Sequence, residues 1–413
     1  VFYQLPYTGR KLAGVLFFPF NSMDEGGIVL SKNLRALSLV MILLFLVVVA
    51  GCGGSPAAPA GQPAKAKITI AMVNPLTGDA ATYGVSHRKG LEMALEEINK
   101  AGGIKGQQIE LLTHDDAGDP KQAAAGAQKF ADMKSVVAIV GSCLSSNTLA
   151  MVPITDKAKV PHSVVSSSTH KLSGMSKYFF RMAVQDDKVG GLMVDLSAQK
   201  FKPKKMALLY LNNDYGKGLL TSTQAQAKKL GIEMTSAQTY LATDKDYSAL
   251  LTKVKAEAPE VLLVGSTYTD GGLIVKQARE MGLNMPIVGP TGLYSPKYLE
   301  IAGKAVENTY FLGVFVPTNP DPKVQDFVKK YKEKYGMDPD TFAALAYDQG
   351  YVLKDALEKA AAKGAVTRES MKEAMATSSF KGITGTVTFD DKGDWVRPYL
   401  FVTVKDGKFV VAQ

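Results

Sequence analysis

The sequence predicts an α/β protein made of two units, each a parallel sheet covered by helices. Apolar runs that read as buried strands alternate with segments of helical periodicity from Ile68 onward. That alternation begins afresh near residue 204, after a first set of similar size and with no obvious linker between them. The chain has 413 residues, 46% of them hydrophobic and 21% charged, with mean hydropathy near zero, which suits a globular protein of two or more domains.

The elements follow in order. "KITIAMV" (67–73) is a strand, and "YGVSHRKGLEMALEEINK" (83–100) puts Leu91, Ala94, Leu95 and Ile98 on one helical face. "QQIELLTHDD" is strand-like, "PKQAAAGAQKFAD" is a helix opened by Pro120, and "SVVAIVG" is a buried strand. A helix starts within the serine-rich stretch that follows, and "PHSVVSSS" is another short strand. The second set runs strand "KKMALLY", helix "YGKGLLTSTQAQAKKLG", strand "IEMTSAQTY" and helix "DYSALLTKVKAEA". Strand "EVLLVGS", helix "GGLIVKQAREMG" and strand "MPIVGP" complete it. The tail holds two helices, "DPKVQDFVKKYKEKYG" and "DTFAALAYDQGYVLKDALEKAAAKG". It ends in the strands "GTVTFDDKGDW" and "PYLFVTVKDGKFVVA", the last a hairpin across Asp406-Gly407.

The N-terminus stands apart from this pattern. Lys32 and Arg35 precede an almost unbroken apolar run from Leu37 to Ala50, short of the roughly 20 residues a full membrane span needs. Basic flank, short apolar core and small residues at the end predict an export signal. Residues 1–30 sit ahead of it and read as a start assigned too far upstream, or as a leader removed with the signal. Residues 1–51 carry a net charge of +2, so of the formal +9 the remainder carries +7. "CGGSPAAPAGQPAKAK" (52–67) has little to bury and predicts a flexible tether.

The stretch "GSCLSSNT" (141–148) raises the functional question. Open parallel sheets bind ligands beyond the carboxyl ends of their strands, where a helix start offers unpaired N–H groups and a positive dipole end. Ser145, Ser146 and Asn147 could cap that helix, or their hydroxyls and the free N–H groups could hold a small carboxylate. The next strand ends the same way, in Ser166-Ser167-Ser168-Thr169.

Several stretches resemble the branched-chain amino-acid-binding proteins of bacterial ABC importers and their wider type I periplasmic-binding relatives. They are "PLTGDAATYG" (75–84), "EEINKAGGIKGQQIELLTHDDAGDPKQA" (96–123), "GSCLSSNT", "DYGKG" (214–218) and "KQAREMGL" (276–283). The likeness covers the chain from about Ile68 to its C-terminus. It implies two Rossmann-like lobes with parallel-sheet cores joined by a three-segment hinge, closing on a ligand. The lobes would be 68–186 plus 316–393 and 187–315 plus 394–413. By the same resemblance Ser145 holds the ligand carboxylate, with Ser168 beside it, and the carbonyl of Ser166 takes the ammonium. Tyr83, Tyr215 and Tyr347 line the pocket, as does Tyr268 or, one residue earlier, Thr267. Val49-Ala50-Gly51-Cys52 resembles a lipobox, which implies cleavage before Cys52, lipid on its sulfur, and a mature protein anchored to a bacterial membrane in the periplasm or at the cell surface.

Two positions depart from the family. Gly118 stands where those proteins have the first cysteine of a disulfide, so Cys143 lacks its partner. Thr291, in "GPTGLYS", stands where they have a glutamate that neutralises the ligand ammonium. A buried ammonium without a carboxylate is expensive. Asp270 would have to reach in, or the ligand is an aromatic acid or an amide rather than an amino acid.

Other function classes find little support. The charge is dispersed, with no zinc-finger spacing and no basic run interleaved with aromatics, so no nucleic-acid partner is expected. "YGKGLLT" is one residue from a dinucleotide fingerprint, with Gly216 and Gly218 in place, but it opens the second unit, and nicotinamide cofactors are not free outside the cell. The four histidines show no HExxH spacing, His114-Asp115-Asp116 reads as polar residues at a strand end, and no serine sits in a GxSxG elbow. The expectation is a monomeric, cofactor-free, metal-free binding protein that hands a small carboxylate, an amino acid first, to the permease of an ABC importer. A sensor or DNA-binding regulator sharing the fold would need a further domain.

Overall fold

The computed structural model of the protein describes residues 66–183, 185–395 and 399–412. The leader, the lipobox-like tetrapeptide with Cys52 and all but two residues of the tether lie outside the described residues.

Two parallel sheets carry the structure. The first contains β1 (Ile68–Asn74), β2 (Ile109–Asp115), β3 (Val136–Gly141), β4 (His162–Val164) and β5 (Phe179–Arg181), in the order β2-β1-β3-β4-β5. The second contains β6 (Lys205–Leu211), β7 (Glu233–Tyr240), β8 (Val261–Gly265), β9 (Ile287–Gly289) and β10 (Thr309–Gly313), in the order β7-β6-β8-β9-β10. The same topology therefore occurs twice, and each sheet reverses its winding between its first and third strands. A small hairpin, β11 (Ser379–Gly382) and β12 (Gly385–Thr388), follows. The last strands, β13 (Leu400–Lys405) and β14 (Lys408–Val411), then add to the second sheet antiparallel beside β10. They turn across Asp406-Gly407, both at positive φ.

The central strands β1, β3 and β8 are buried along their whole length, as continuous apolar runs in a doubly covered parallel sheet must be. In the first half, α1 (Ala81–Lys100), α2 (Pro120–Asp132) and α3 (Ser145–Lys157) cover the sheet. The side chain of Asp119 caps α2, accepting from the backbone N–H of Lys121 and Gln122 at 2.9 Å each, with Pro120 at the first turn. In the second half come α4 (Asp186–Phe201), α5 (Asp214–Lys229), α6 (Ser248–Glu257), α7 (Tyr268–Glu280) and the short α8 (Pro296–Ala302). The chain then returns to the first half as α9 (Pro322–Tyr335), α10 (Thr341–Lys363) and α11 (Arg368–Ala376). Helix α10 packs along α1, with Ala346, Leu353 and Ala356 against Leu91 and Leu95 in one buried cluster. The chain thus passes between the two halves three times: after β5, after β10 and after β12.

The sequence reading misses β5, β10, β11, α4, α8 and α11. Helix α4 contains Gly190-Gly191, of which Gly190 is a packing device. A Cβ at Gly190 would lie 2.2 Å from Ser222 Oγ and 2.5 Å from the carbonyl of Leu219, so glycine lets α4 and α5 touch backbone to backbone. Helix α11 opens on a Thr367/Ser370 capping box, a serine in place of the expected acid. The strand expected from "PHSVVSSS" is only His162–Val164, which releases Ser166 and Ser168 into a loop.

A buried polar chain fills the first half beneath the strand ends. His87 Nδ1 lies 2.8 Å from Asn74 Nδ2, His87 Nε2 lies 2.7 Å from Gln349 Oε1, and Gln349 donates to Ser163 Oγ at 3.0 Å. His162 bonds the carbonyl of Gly141. Burial pushes the pKa of His87 and of His162 down to about 4. An unfolded histidine titrates near 6.5, so between about pH 6.5 and 4 the unfolded chain binds protons that these two sites refuse. Each site therefore withdraws about 1.4 kcal/mol of stability per pH unit as the pH falls through that window, and nothing above it. Imidazole resonances of His87 and His162 should stay those of the neutral ring from pH 8 to about 5. Titration of either near 6.5 in the folded protein would contradict this picture.

Candidate functional site

The carboxyl ends of both sheets face one cavity of about 810 Å³, its open mouth included. From the first half, Leu144 and Ser145 come from the β3–α3 junction, and Val165, Ser166 and Ser168 from the loop after β4. Met182 and Ala183 follow β5, and Tyr83 projects from the first turn of α1. From the second half, Asn213 and Tyr215 follow β6, Thr267 follows β8, and Pro290, Thr291 and Gly292 follow β9. Phe342 and Leu345, on the returning helix α10, close the apolar side.

The start of α3 lacks a side-chain cap. Its cap position is Leu144, which has no acceptor, so Ser145 and Ser146 stand inside the first turn rather than capping it. Ser145 Oγ accepts from the backbone N–H of Thr169 at 3.3 Å, which ties the two serine-rich strand ends together. Ser166 Oγ donates to the carbonyl of Cys143 at 2.9 Å. Ser168 Oγ is buried, lines the cavity and has no hydrogen-bond partner among the described residues. Ser167 turns away, bonded to Ser142 and Thr148. The result is an uncapped helix N-terminus with two serine hydroxyls beside it, an arrangement suited to an anion.

Tyrosines tie the halves together across the cavity. Tyr83 Oη donates to the carbonyl of Gly292 at 2.5 Å and accepts from the backbone N–H of Tyr268 at 3.1 Å. Burial pushes the hydroxyl pKa of Tyr83 and of Tyr215 well above its ordinary value, so both remain neutral donors. Gly292 must be glycine, because a Cβ there would lie 2.8 Å from the carbonyl of Ser266 and 3.2 Å from Tyr215 Oη. At the mouth, Asp214 of the second half accepts from Lys171 Nζ at 2.6 Å and from Ser146 Oγ at 3.3 Å, both of the first. The bond from Lys171 holds the Asp214 carboxyl below its usual pKa range. On another side, Lys245 lies 3.3 Å from Asp79.

Of the residues expected from sequence, Tyr83, Ser145, Ser166, Ser168, Tyr215 and Thr291 meet at this cavity. Four others lie elsewhere. Ser146 faces the mouth and Asp214. Tyr268 is buried against Tyr83, its hydroxyl donating to the carbonyl of Asp79 at 2.8 Å, and Thr267 takes the lining position. Asp270 sits behind Thr267, whose hydroxyl donates to it at 3.1 Å, and burial pushes its pKa up to about 6. Tyr347 packs its ring against Phe327, centroids 4.7 Å apart, and donates to Glu97 at 2.6 Å, so it is core and not pocket. The sequence reading missed Asn213, although its place two residues past β6 is a strand-end signal. It also missed Phe342 and Leu345, which no local pattern marks.

Cys143 also borders the cavity as a buried free thiol, its pKa raised by burial. Among the described residues no group of His, Cys, Asp and Glu could hold a metal ion. No helix of the described residues is long and apolar enough to cross a membrane.

Known proteins share this architecture. The chain is 32% identical over 333 residues to the leucine-, isoleucine-, valine-, threonine- and alanine-binding protein of Pseudomonas aeruginosa, covering 79% of this chain and 87% of that protein. The branched-chain amino acid transporter substrate-binding protein LivJ of Streptococcus pneumoniae, solved with isoleucine, superposes with a TM-score of 0.78 at 33% identity. That match covers 83% of this chain and 97% of LivJ. The leucine-binding protein LivK of Thermotoga maritima gives a TM-score of 0.77 at 28% identity, covering 84% of this chain and 98% of its own. A family model described as periplasmic binding protein matches residues 67–408. With two like-wound sheets facing one cavity, and with that match spanning most of its length, the chain belongs to the periplasmic binding protein family.

Proposed function

We propose that this chain is the extracytoplasmic substrate-binding component of an ABC importer. It captures a small carboxylate-bearing solute between two closing lobes, 68–186 plus 316–393 and 187–315 plus 394–413, and delivers it to membrane permease subunits. The observation that carries this reading is the uncapped start of α3 with Ser145 and Ser168 beside it, at the bottom of a cavity shared by both sheets. The named relatives bind leucine, isoleucine or valine, which favours a solute with an apolar body of that size. The chain acts as a monomer and without catalysis. The tetrapeptide ending at Cys52 supports export and lipid anchoring at the outer face of a bacterial membrane.

Losing a hydrogen bond to a charged group costs about 1.5–3 kcal/mol. Ser145→Ala should therefore weaken binding of a carboxylate ligand roughly ten- to a hundredfold while the thermal midpoint of the free protein changes little. The probes are leucine, valine, 4-methylpentanoate, 4-methyl-2-oxopentanoate and phenylacetate, read by calorimetry. Unchanged affinity for whichever of them binds would remove the anion site from this reading.

Closure is tested separately, by small-angle scattering on the ligand-free and ligand-saturated protein. The radius of gyration should fall on binding. An unchanged radius, in a protein shown to be open beforehand, would rule out hinge closure. For the anchor, the intact mass of the membrane-associated protein should correspond to a chain beginning at Cys52 with added acyl groups, more than one being needed for stable anchoring. A mature chain that retains residues 31–51 would exclude it.

A further inference from the structure

The strands of the first sheet send their carboxyl ends to the cavity, and their amino ends form the opposite edge, together with the ends of α1, α2 and α3. Lysines occupy nearly every connection on that edge. Lys100 ends α1, Lys129 stands in the last turn of α2, and Lys157 ends α3. Lys134 precedes β3, Lys159 precedes β4 and Lys177 precedes β5. All six are exposed, and none forms an ion pair among the described residues. We propose that this edge is a docking surface for a bilayer containing anionic phospholipid. The inference rests on the reading that Cys52 carries lipid, and adds to it the face on which the anchored protein stands.

The acids of the same edge are occupied. Glu110 pairs with Lys67 at 3.3 Å, Glu369 with Lys372 at 2.8 Å and Glu373 with Lys363 at 3.8 Å. Asp132 accepts from Gln128 at 2.9 Å and Asp156 from Ser176 at 2.5 Å. Against six lysines these two leave a positive surplus. Arg368 turns inward onto the carbonyls of Ala131, Met133, Val136 and Ala158, which brings the start of α11 to this edge as well. Helix dipoles favour lysines at helix ends, which accounts for Lys100, Lys129 and Lys157. Lys134, Lys159 and Lys177 lie outside the helices.

Charge alone does not choose this edge, since Lys204, Lys228 and Lys229 stand exposed on the corresponding edge of the second sheet. The entry of the chain does. Residues 66 and 67 lead directly into β1, and Cys52 lies 14 residues before Ala66. A segment of that length reaches at most about 50 Å. Lipid on Cys52 therefore holds the first edge beside the bilayer at high effective concentration, with the second edge beyond the cavity. Each lysine brought within a Debye length of anionic lipid adds about fivefold to binding. Several together turn a tethered edge into a docked one. Because the cavity lies at the opposite edge, docking leaves it uncovered.

The test takes the chain that begins at Cys52, which contains every described residue, and links that thiol to a maleimide lipid in vesicles. Cys143, the other of the two cysteines, is buried. Vesicles of phosphatidylcholine are compared with vesicles containing about one third phosphatidylglycerol, at about 0.1 M salt. An N-hydroxysuccinimide ester labels the lysines, and mass spectrometry reads the rate at each. On the anionic vesicles Lys129, Lys134, Lys157 and Lys159 should be labelled at least about fivefold more slowly than on the neutral ones, with Lys204, Lys228 and Lys229 unchanged. Equal rates on both vesicles would overturn the inference, and so would slowing of the same size at Lys204, Lys228 and Lys229. Lys129→Glu, Lys134→Glu and Lys157→Glu together should return Lys100, Lys159 and Lys177 to their rates on phosphatidylcholine. Slowing that survives these changes would show the tether, and not the charge, to be its cause, and would equally refute the docking surface. Since the link is made chemically, failure here leaves lipid on Cys52 standing, which the intact mass decides.

Discussion

Everything about the site depends on one directional constraint, that all strands of each core sheet run parallel. Parallel strands present all their carboxyl ends at one edge, and the helices that follow begin there, with N–H groups pointing outward. Here that happens twice with identical winding, β2-β1-β3-β4-β5 and β7-β6-β8-β9-β10. Lining residues accordingly come from the ends of β3, β4, β5, β6, β8, β9 and β10, and the first turn of α3 supplies a fixed partial charge among them. An antiparallel sheet would scatter those ends over both edges.

The loops that form the site are held from below by buried polar contacts rather than by hydrophobic packing alone. Arg181, fully buried at the end of β5, donates from Nε to Asp394 Oδ1 at 2.7 Å and from Nη1 to the carbonyl of Thr169 at 2.6 Å. One guanidinium therefore joins three segments: the end of β5, the loop carrying Ser168, and the stretch before β13. Gln185 adds a bond to Asp394 Oδ2 at 2.5 Å. A buried ion pair contributes modestly to net stability, but removing one partner typically costs about 3–5 kcal/mol because the other charge is stranded. Its greater effect is geometric. It fixes two of the three chain crossings at their first-half ends, so that any relative movement of the halves is confined to residues beyond it.

How much of this could be read in the amino acids divides along the range of the interactions. Elements with a strong local signal were legible: α2 with Asp119 and Pro120, the buried runs of β1, β3 and β8, and the Asp406-Gly407 hairpin. Helix α4 was not, because Gly190 answers to the distant Ser222 and Leu219. The same holds at the cavity. Ser145, Ser166 and Ser168 follow strands directly and could be anticipated from the strand-end rule. Phe342 and Leu345 reach the cavity only because α10 returns to pack on α1, a contact more than two hundred residues away in sequence. Tyr347, two residues beyond Leu345 on the same helix, points to the opposite side and packs in the core. A tyrosine in a plausible motif is therefore a weak guide unless its helical phase is known.

The tyrosine contacts join the two halves across a cavity whose lining side chains carry no formal charge. Tyr83 spans the halves through two bonds, to Gly292 and to the N–H of Tyr268, and its ring stacks edge-on against Tyr268 and Phe342 at 4.6 and 4.7 Å. The contacts to Gly292 and Tyr268 cross between the halves, whereas that to Phe342 lies within the first. Each crossing contact is worth about 1 kcal/mol net, because an opened cleft would return the groups to water. The mouth contacts of Asp214 and Asp79 are exposed to solvent and add less. Such contacts alone would give the proposed closure only a shallow preference. On the reading proposed above, a solute that filled the apolar wall and paired its carboxylate with α3 would add free energy present only in a closed arrangement, which is the condition for a ligand to shift a conformational equilibrium.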